Sequence, residues 1–256
     1  MEIKIVEAKN VIIKSNIPGI DYVINPYIGC QHGCIYCYAE FMKRFTNHSG
    51  DEWGKFIDIK RFDLEKIKPE KYDNKTILFS SVTDPYCLIE VKYKNTRTIL
   101  EKLVGTKARI EILTKSRHVE RDSDLFQLFE NIRVGISLNT LDSSLAKKID
   151  PLASRPHLRI KALEKIAKKG IATYIFISPI FPKVTNWKEI ILSTKHITND
   201  FMFENLNFRS HNIRRIMELI EEQFPNLLDF YKEIRIDPTM WDSLENDIIE
   251  FCKILG

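Results

Sequence analysis

The chain has 256 residues, 44% hydrophobic and 29% charged, with only 9 glycines and 10 prolines. That content supplies one sizeable core and excludes a disordered, collagen-like or disulfide-stapled class. The 39 basic and 35 acidic residues leave a net charge of +4, spread without a polybasic block, which permits a nucleic-acid partner without arguing for one.

No apolar run approaches the roughly 20 residues that span a bilayer. Residues 1–15 carry charges every few positions and hold no signal-peptide apolar region. The expectation is a cytoplasmic protein with no membrane partner.

In chain order, residues 1–21 read as an N-terminal extension. Residues 22–28 form a short strand that leads into a cysteine-rich loop. Residues 35–45 then place Ile35, Tyr38, Ala39, Met42 and Phe45 on one helical stripe. Residues 76–79 are a compact apolar strand. Thr98-Ile-Leu-Glu101 reads as a capping box opening a helix that stops at Gly105. Strands are expected over 109–113 and 132–138, with a helix over 122–129 between them. Helices over 143–149 and 157–169 follow, separated by Asp150-Pro151. The second ends on Lys168, Lys169 and Gly170, a basic last turn and a glycine cap.

Residues 171–177 are nearly all apolar, as a strand buried on both faces should be. A helix around 187–196, a strand around 202–208 and two or three helical pieces over 212–256 complete the chain. Such strand–helix alternation implies a parallel sheet with crossover helices. The expected fold is therefore α/β, a partial (β/α)6 barrel with parallel strands over residues 22–210, plus a helical C-terminal extension over 211–256. In such sheets ligands bind at the carboxyl ends of the strands.

Chemistry concentrates in Asn25-Pro-Tyr-Ile-Gly-Cys-Gln-His-Gly-Cys-Ile-Tyr-Cys37, which holds three of the five cysteines. Disulfides within so short a stretch would close tiny strained loops, so a metal or cluster site is the better reading. Three thiolates from Cys30, Cys34 and Cys37 can each ligate one iron of a 4Fe-4S cube, leaving the fourth iron open to a small molecule. Two other readings stay open. A zinc site would need a fourth ligand, from His32 or His48. A four-cysteine electron carrier would need Cys87 or Cys252 brought near by folding.

The loop resembles the signature of the radical S-adenosylmethionine (SAM) superfamily, including an aromatic residue, Tyr36, before the third cysteine. Four further segments each lie at a predicted strand end: Ser80-Ser-Val-Thr-Asp-Pro-Tyr86, Leu113-Thr-Lys-Ser116, Val134-Gly-Ile-Ser-Leu-Asn139 and Ser178-Pro-Ile-Phe-Pro182. They resemble one subgroup, the spore photoproduct lyase-like proteins often labelled DNA repair photolyases. The tail after Phe208 matches less distinctly.

The resemblance implies a 4Fe-4S cluster on Cys30, Cys34 and Cys37 that reductively cleaves S-adenosyl-L-methionine, with an external one-electron reductant of flavodoxin or ferredoxin type. The 5′-deoxyadenosyl radical then abstracts a hydrogen atom from a substrate that the sequence leaves open, a peptide or protein or a nucleic acid. It also implies that Thr83, Lys115 and Ser137 hold the methionyl part, with Ser81 nearby. Tyr36 would pack beside the adenine and Ser178 border it. Tyr86 and Cys87, just past the second strand end, are catalytic candidates facing the radical. Arg155, His157 and Arg159 are expected near the mouth, and Glu204 and Asn207 near substrate. Asp84 reads as a cap for the following turn.

The alternatives are a nucleic-acid lesion repair lyase, an iron–sulfur electron carrier and a zinc-dependent nucleic-acid-binding module. Spore photoproduct lyase itself is not expected. It needs a cysteine close to the second strand end to return a hydrogen atom, and Ser81 stands in the matching stretch here. A serine O–H bond is far stronger than a thiol S–H bond.

Overall fold

The apolar strand segments assemble into one seven-stranded sheet in the computed structural model, which describes every residue except Pro238 and Gly256. In chain order the strands are β1 (Glu2–Glu7), β2 (Ile12–Lys14), β3 (Tyr22–Ile24), β4 (Tyr27–Ile28), β5 (Phe56–Arg61), β6 (Thr76–Phe79), β7 (Arg109–Thr114), β8 (Ile132–Leu138), β9 (Ala172–Ile180) and β10 (Phe201–Asn205). The main sheet runs β10-β9-β8-β7-β6-β3-β2. Every neighbouring pair is parallel except β2 with β3. Because β10 and β2 are free edges, the sheet is an open, partial barrel.

The helices are α1 (Glu90–Tyr93), α2 (Asn95–Leu103), α3 (Ser123–Phe126), α4 (Ser143–Ile149), α5 (Pro156–Ala167), α6 (Trp187–Thr194), α7 (Ile213–Gln223), α8 (Leu228–Ile234) and α9 (Met240–Leu255). No helix among the described residues is long and apolar enough to cross a membrane.

Strand alternation divides the barrel into two environments. Ile110, Ile112, Val134, Ile136, Ile175 and Ile177 point outward and are fully buried with Ile99, Leu103, Leu163, Ile166 and Ile190 of the helices. Each such side chain contributes about 1.5–3 kcal/mol by leaving water. Their neighbours Glu111, Leu113, Arg133, Ser137, Tyr174 and Phe176 face inward and line a cavity. The C-terminal helices pack on existing surfaces. Ile216, Leu219 and Tyr231 join Ile149 and Phe181, while Ile248 of α9 reaches the main core and Phe251 meets Trp187 edge-on.

Several local expectations shift for identifiable reasons. The strand expected over 22–28 breaks at Asn25-Pro26, so β3 pairs with β6 and β4 with β5. A second sheet, β1-β5-β4, thereby forms beneath the cysteine loop. The expected helix over 35–45 is a 3-10 helix, Tyr38–Phe45. The capping box at Thr98 does not open α2. The Glu90 carboxylate instead accepts from the backbone N–H of Thr96 (3.0 Å) and Arg97 (3.3 Å), so the helix starts a turn earlier.

Gly135 on β8 is required by its neighbour across the strand. A Cβ there would lie 2.3–2.6 Å from the Tyr174 ring. That ring cannot retreat freely, since its hydroxyl donates to the Ile112 carbonyl (3.1 Å) and the Arg133 guanidinium lies 4.7 Å from its centroid. Gly135→Ala is expected to lower stability by roughly 1–3 kcal/mol, the usual cost of overpacking. An unchanged midpoint in urea unfolding would contradict this account.

Candidate active site

The cysteine loop joins β4 to the Tyr38–Phe45 helix and is shaped by what lies under it. Gly29 has φ +83°, and a Cβ there would meet the Phe56 ring and carbonyl at 2.8 Å. Gly54 has φ +90°, and a Cβ there would fall 2.8 Å from the Cα of Gly33. Glycine supplies both the left-handed backbone and the clearance. From the side, the N–H of Ile35 donates to the Ile149 carbonyl (3.0 Å) and that of Leu152 to the His32 carbonyl (3.2 Å). From above, Thr83 Oγ1 donates to the Gly29 carbonyl at 2.5 Å.

Cys30 and Cys34 are buried and Cys37 half-buried, all as free thiols, and all three line the cavity. Burial pushes each thiol up, Cys34 well above the usual range and Cys37 to about 11. Any metal centre there displaces these protons, so loading depends on pH. The three Sγ atoms do not all lie within 4.8 Å of one another. A tetrahedral zinc with Zn–S near 2.3 Å would draw its sulfurs to about 3.8 Å. A cubane spreads three thiolates over three irons and leaves the fourth open, a donor set that these three free thiols fit.

Of the two proposed fourth ligands, His32 lines the same cavity and His48 does not. His32 Nδ1 faces Asp84 at 3.4 Å, and His48 is bonded to Asp51 (2.5 Å) and Asp58 (3.0 Å). Cys252 packs against the main core from α9.

The cavity measures about 1280 Å³ and runs through the barrel interior, from Arg109 and Arg133 near the amino ends of their strands to the cysteine loop at the carboxyl ends. Tyr36, Ser81, Thr83, Lys115, Ser137 and Ser178 all line it, as do Glu204 and Asn207. Tyr86 and Cys87 do not. Beyond Pro85 the chain turns away into α1, and both side chains are fully buried. Tyr86 sits in the outer core with the Arg121 guanidinium over its ring, and Cys87 among Tyr27, Ile57, Ile59 and Ile89. Arg155 and His157 also lie off the cavity lining, at the start of α5.

Two carboxylates organise the site. Asp84 accepts from the Tyr86 N–H and the Thr114 hydroxyl with one oxygen, and from the Lys115 N–H with the other. It therefore caps the turn as expected and also ties three segments together. Asp150 is fully buried and accepts from the Tyr36 hydroxyl (2.7 Å), Arg159 Nη2 (3.1 Å) and Asn139 Nδ2 (3.3 Å). Burial opposes its charge, but Arg159 and Lys115 outweigh that and hold its carboxyl below the usual range. Burial likewise opposes the Lys115 ammonium, yet Cys34 and Asp150 hold its pKa above the ordinary value.

Lys115 Nζ lies 5.6 Å from the centroid of the Tyr36 ring and forms no ion pair among the described residues. His32 is held neutral, first by burial and then by the nearby Arg159 and Lys115 cations. The serine and threonine hydroxyls have local partners. Ser137 donates to the Ser178 carbonyl (3.0 Å), Ser178 to Glu204 (2.6 Å), and Ser81 accepts from Asn25 (3.2 Å).

A family model described as the Radical SAM superfamily matches residues 24–194. An uncharacterized protein of Methanocaldococcus jannaschii is 40% identical over 225 residues, 88% of this chain and 85% of that protein. A protein of Pseudomonas phage M6 described as a radical SAM Nalpha-GlyT isomerase is 27% identical, over 64% of this chain and 34% of its own length. Among solved structures, spore photoproduct lyase complexed with a dinucleoside spore photoproduct superposes with a TM-score of 0.64 at 19% identity. The alignment covers 87% of this chain and 66% of the lyase chain, and it shows a shared partial-barrel fold.

Proposed function

Because the chain belongs to the radical SAM superfamily, whose enzymes use a 4Fe-4S cluster and SAM, we propose that Cys30, Cys34 and Cys37 hold the cluster and that the cavity beside them holds SAM with its substrate. The observation that carries this reading is the opening of three free thiols, two buried and one half-buried, and the Lys115 ammonium into one cavity. At about 1280 Å³ that cavity exceeds the roughly 300–1,000 Å³ of ordinary small-molecule sites, as room for two ligands requires. When bound, such a cluster supplies the electron that splits SAM into methionine and a 5′-deoxyadenosyl radical, which takes a hydrogen atom from substrate.

The chain's own residues bind and orient. Lys115 offers a charge-assisted hydrogen bond to the methionyl carboxylate. Burial opposes its charge, yet Cys34, Asp150 and Asp84 nearby keep its ammonium charged. Tyr36, fixed through its hydroxyl to Asp150, packs beside the adenine. Thr83 acts chiefly through the loop, because its hydroxyl is engaged by Gly29. Ser137 and Ser178 form a polar wall whose last member, Glu204, faces substrate. The apolar strand faces behind that wall keep water away from the reacting centre.

Anaerobic reconstitution with iron and sulfide, then reduction in the presence of SAM, should yield 5′-deoxyadenosine. Zinc bound without iron, or a reducible cluster that never releases the nucleoside, would overturn the reading. Lys115→Ala is expected to keep the cluster and weaken SAM binding by about 1.5–3 kcal/mol, the scale of a hydrogen bond to a charged group. Wild-type affinity in an anaerobic titration would remove Lys115 from the site.

One observation favours a nucleic-acid substrate over a peptide. The lining near the mouth combines Arg44, Arg209 and His211 with the exposed rings of Tyr38 and Phe41. Cations interleaved with aromatic faces suit a phosphate backbone and its splayed bases. Stimulation of 5′-deoxyadenosine release by single-stranded oligonucleotides, weakened by salt, would support this choice. Stimulation by peptides alone would reverse it.

A further inference from the structure

The side chain of Trp53 poses a question that the binding residues leave unanswered. It lies in the segment under the cysteine loop, one residue before Gly54, and is only 5% exposed. It packs with Cys30, Ala39 and Phe56, and Cys37 and Val82 lie against the same cluster. Its position is fixed in series. The indole meets Phe56 edge-on at 5.9 Å, and Phe56 stacks on His48 at 4.0 Å. His48 is in turn clamped between Asp51 and Asp58.

Yet the indole Nε1 is buried without a hydrogen-bond partner. An indole N–H is a donor only, and buried donors in folded proteins find acceptors. Cys30 and Cys37 are the side chains in this cluster whose sulfurs can accept.

We propose that the indole N–H of Trp53 donates to a sulfur of the Cys30 and Cys37 pair and thereby raises the reduction potential of the cluster held by the loop. This inference rests on the cluster assignment made above. Hydrogen bonds to ligating sulfurs are among the levers that set iron–sulfur potentials. A reduced cube carries one more negative charge than the oxidised form, so a donor aimed at a ligating sulfur stabilises the reduced form more. Trp53 makes no contact with SAM or substrate in this proposal; it is a positioning residue acting through a ligating sulfur.

The test is a dye-mediated redox titration of reconstituted wild type and Trp53→Phe, which keeps an aromatic ring and removes the donor. At equal iron content per chain, the variant's ratio of reduced to oxidised cluster at a fixed ambient potential should fall about tenfold. For a one-electron couple that is a shift of about 59 mV to lower potential. An unchanged ratio overturns the proposal, since mere loss of packing would alter stability without moving the potential.

A second measurement needs no variant. The chain has 3 tryptophans, so indole-¹⁵N labelling gives few signals. The Trp53 N–H should acquire a contact shift on reduction of the cluster while those of Trp187 and Trp241 stay in place. A Trp53 resonance that keeps its cluster-free frequency would exclude the bond. Failure of the wild type to take up any cluster would instead remove the assignment beneath it, a result distinct from a loaded protein with an unaltered potential.

Discussion

Alanine at Cys30, Cys34 or Cys37 is expected to abolish the cluster absorption and all SAM cleavage, whereas alanine at Cys87 or Cys252 should spare both. The difference follows from where the thiols point. The first three open onto the cavity, Cys87 sits among Tyr27, Ile57 and Ile59, and Cys252 packs on the outer core. A cube with one open iron needs three protein thiolates, and removing any one leaves a second iron without a ligand. Iron and sulfide analysis after anaerobic reconstitution reads the outcome directly. Loss of the cluster in Cys87→Ala or Cys252→Ala would favour a four-cysteine electron carrier.

The second large effect is expected from Arg159→Met. Arg159 is 1% exposed and Asp150 is fully buried, with 3.1 Å between their charged groups. Arg159 also donates to the carbonyls of Ser154 (2.6 Å) and Ser137 (2.8 Å). Removing one member of a buried pair strands the other charge, at a cost of roughly 3–5 kcal/mol. The sign of the pH dependence follows from the depressed Asp150 carboxyl. Its contribution is present above the unfolded value near 3.9 and is lost as pH falls through the folded value. The gap between wild type and variant should therefore be widest near neutrality and narrow in acid. Denaturant unfolding across that range measures it, and an equal gap at all pH values would show that Asp150 is not the stranded partner.

Part of this site was legible in the sequence because part of it is local. Three cysteines in one short loop are visible in any reading. The inward positions at strand ends follow once a parallel sheet is inferred, which is how Thr83, Lys115, Ser137 and Ser178 come to share a cavity. Asp150 could not be read that way. Its partner Tyr36 is 114 positions distant, and no spacing rule connects a helix terminus to a loop across that interval.

Trp53 reads as core in any hydrophobicity pattern, and its polar edge acquires meaning only from what packs against it. Tyr86 and Cys87 were expected to face the cavity because they follow a strand end closely. Pro85 and the turn into α1 pack Tyr86 into the main core and Cys87 against β4 and β5, a change of direction that distance along the chain does not encode. The small sheet was missed for a similar reason: β4 is only two residues long and β1 is almost wholly exposed, so neither shows a buried-strand pattern.

The close backbone contacts under the cysteine loop have a thermodynamic consequence for assembly. With Gly29 seated against Phe56 and Gly33 against Gly54, the fold beneath the loop casts its shape. Ordering a free segment costs about 1–2 kcal/mol per residue in backbone entropy. Here that cost falls on the folding of the β1-β5-β4 sheet and is not charged against iron and sulfide uptake. Cluster insertion into the folded protein should thus proceed with little change in heat capacity or amide-exchange protection outside the loop. Its rate is then set by iron and sulfide delivery and by release of the three thiol protons, not by the search of a wandering chain.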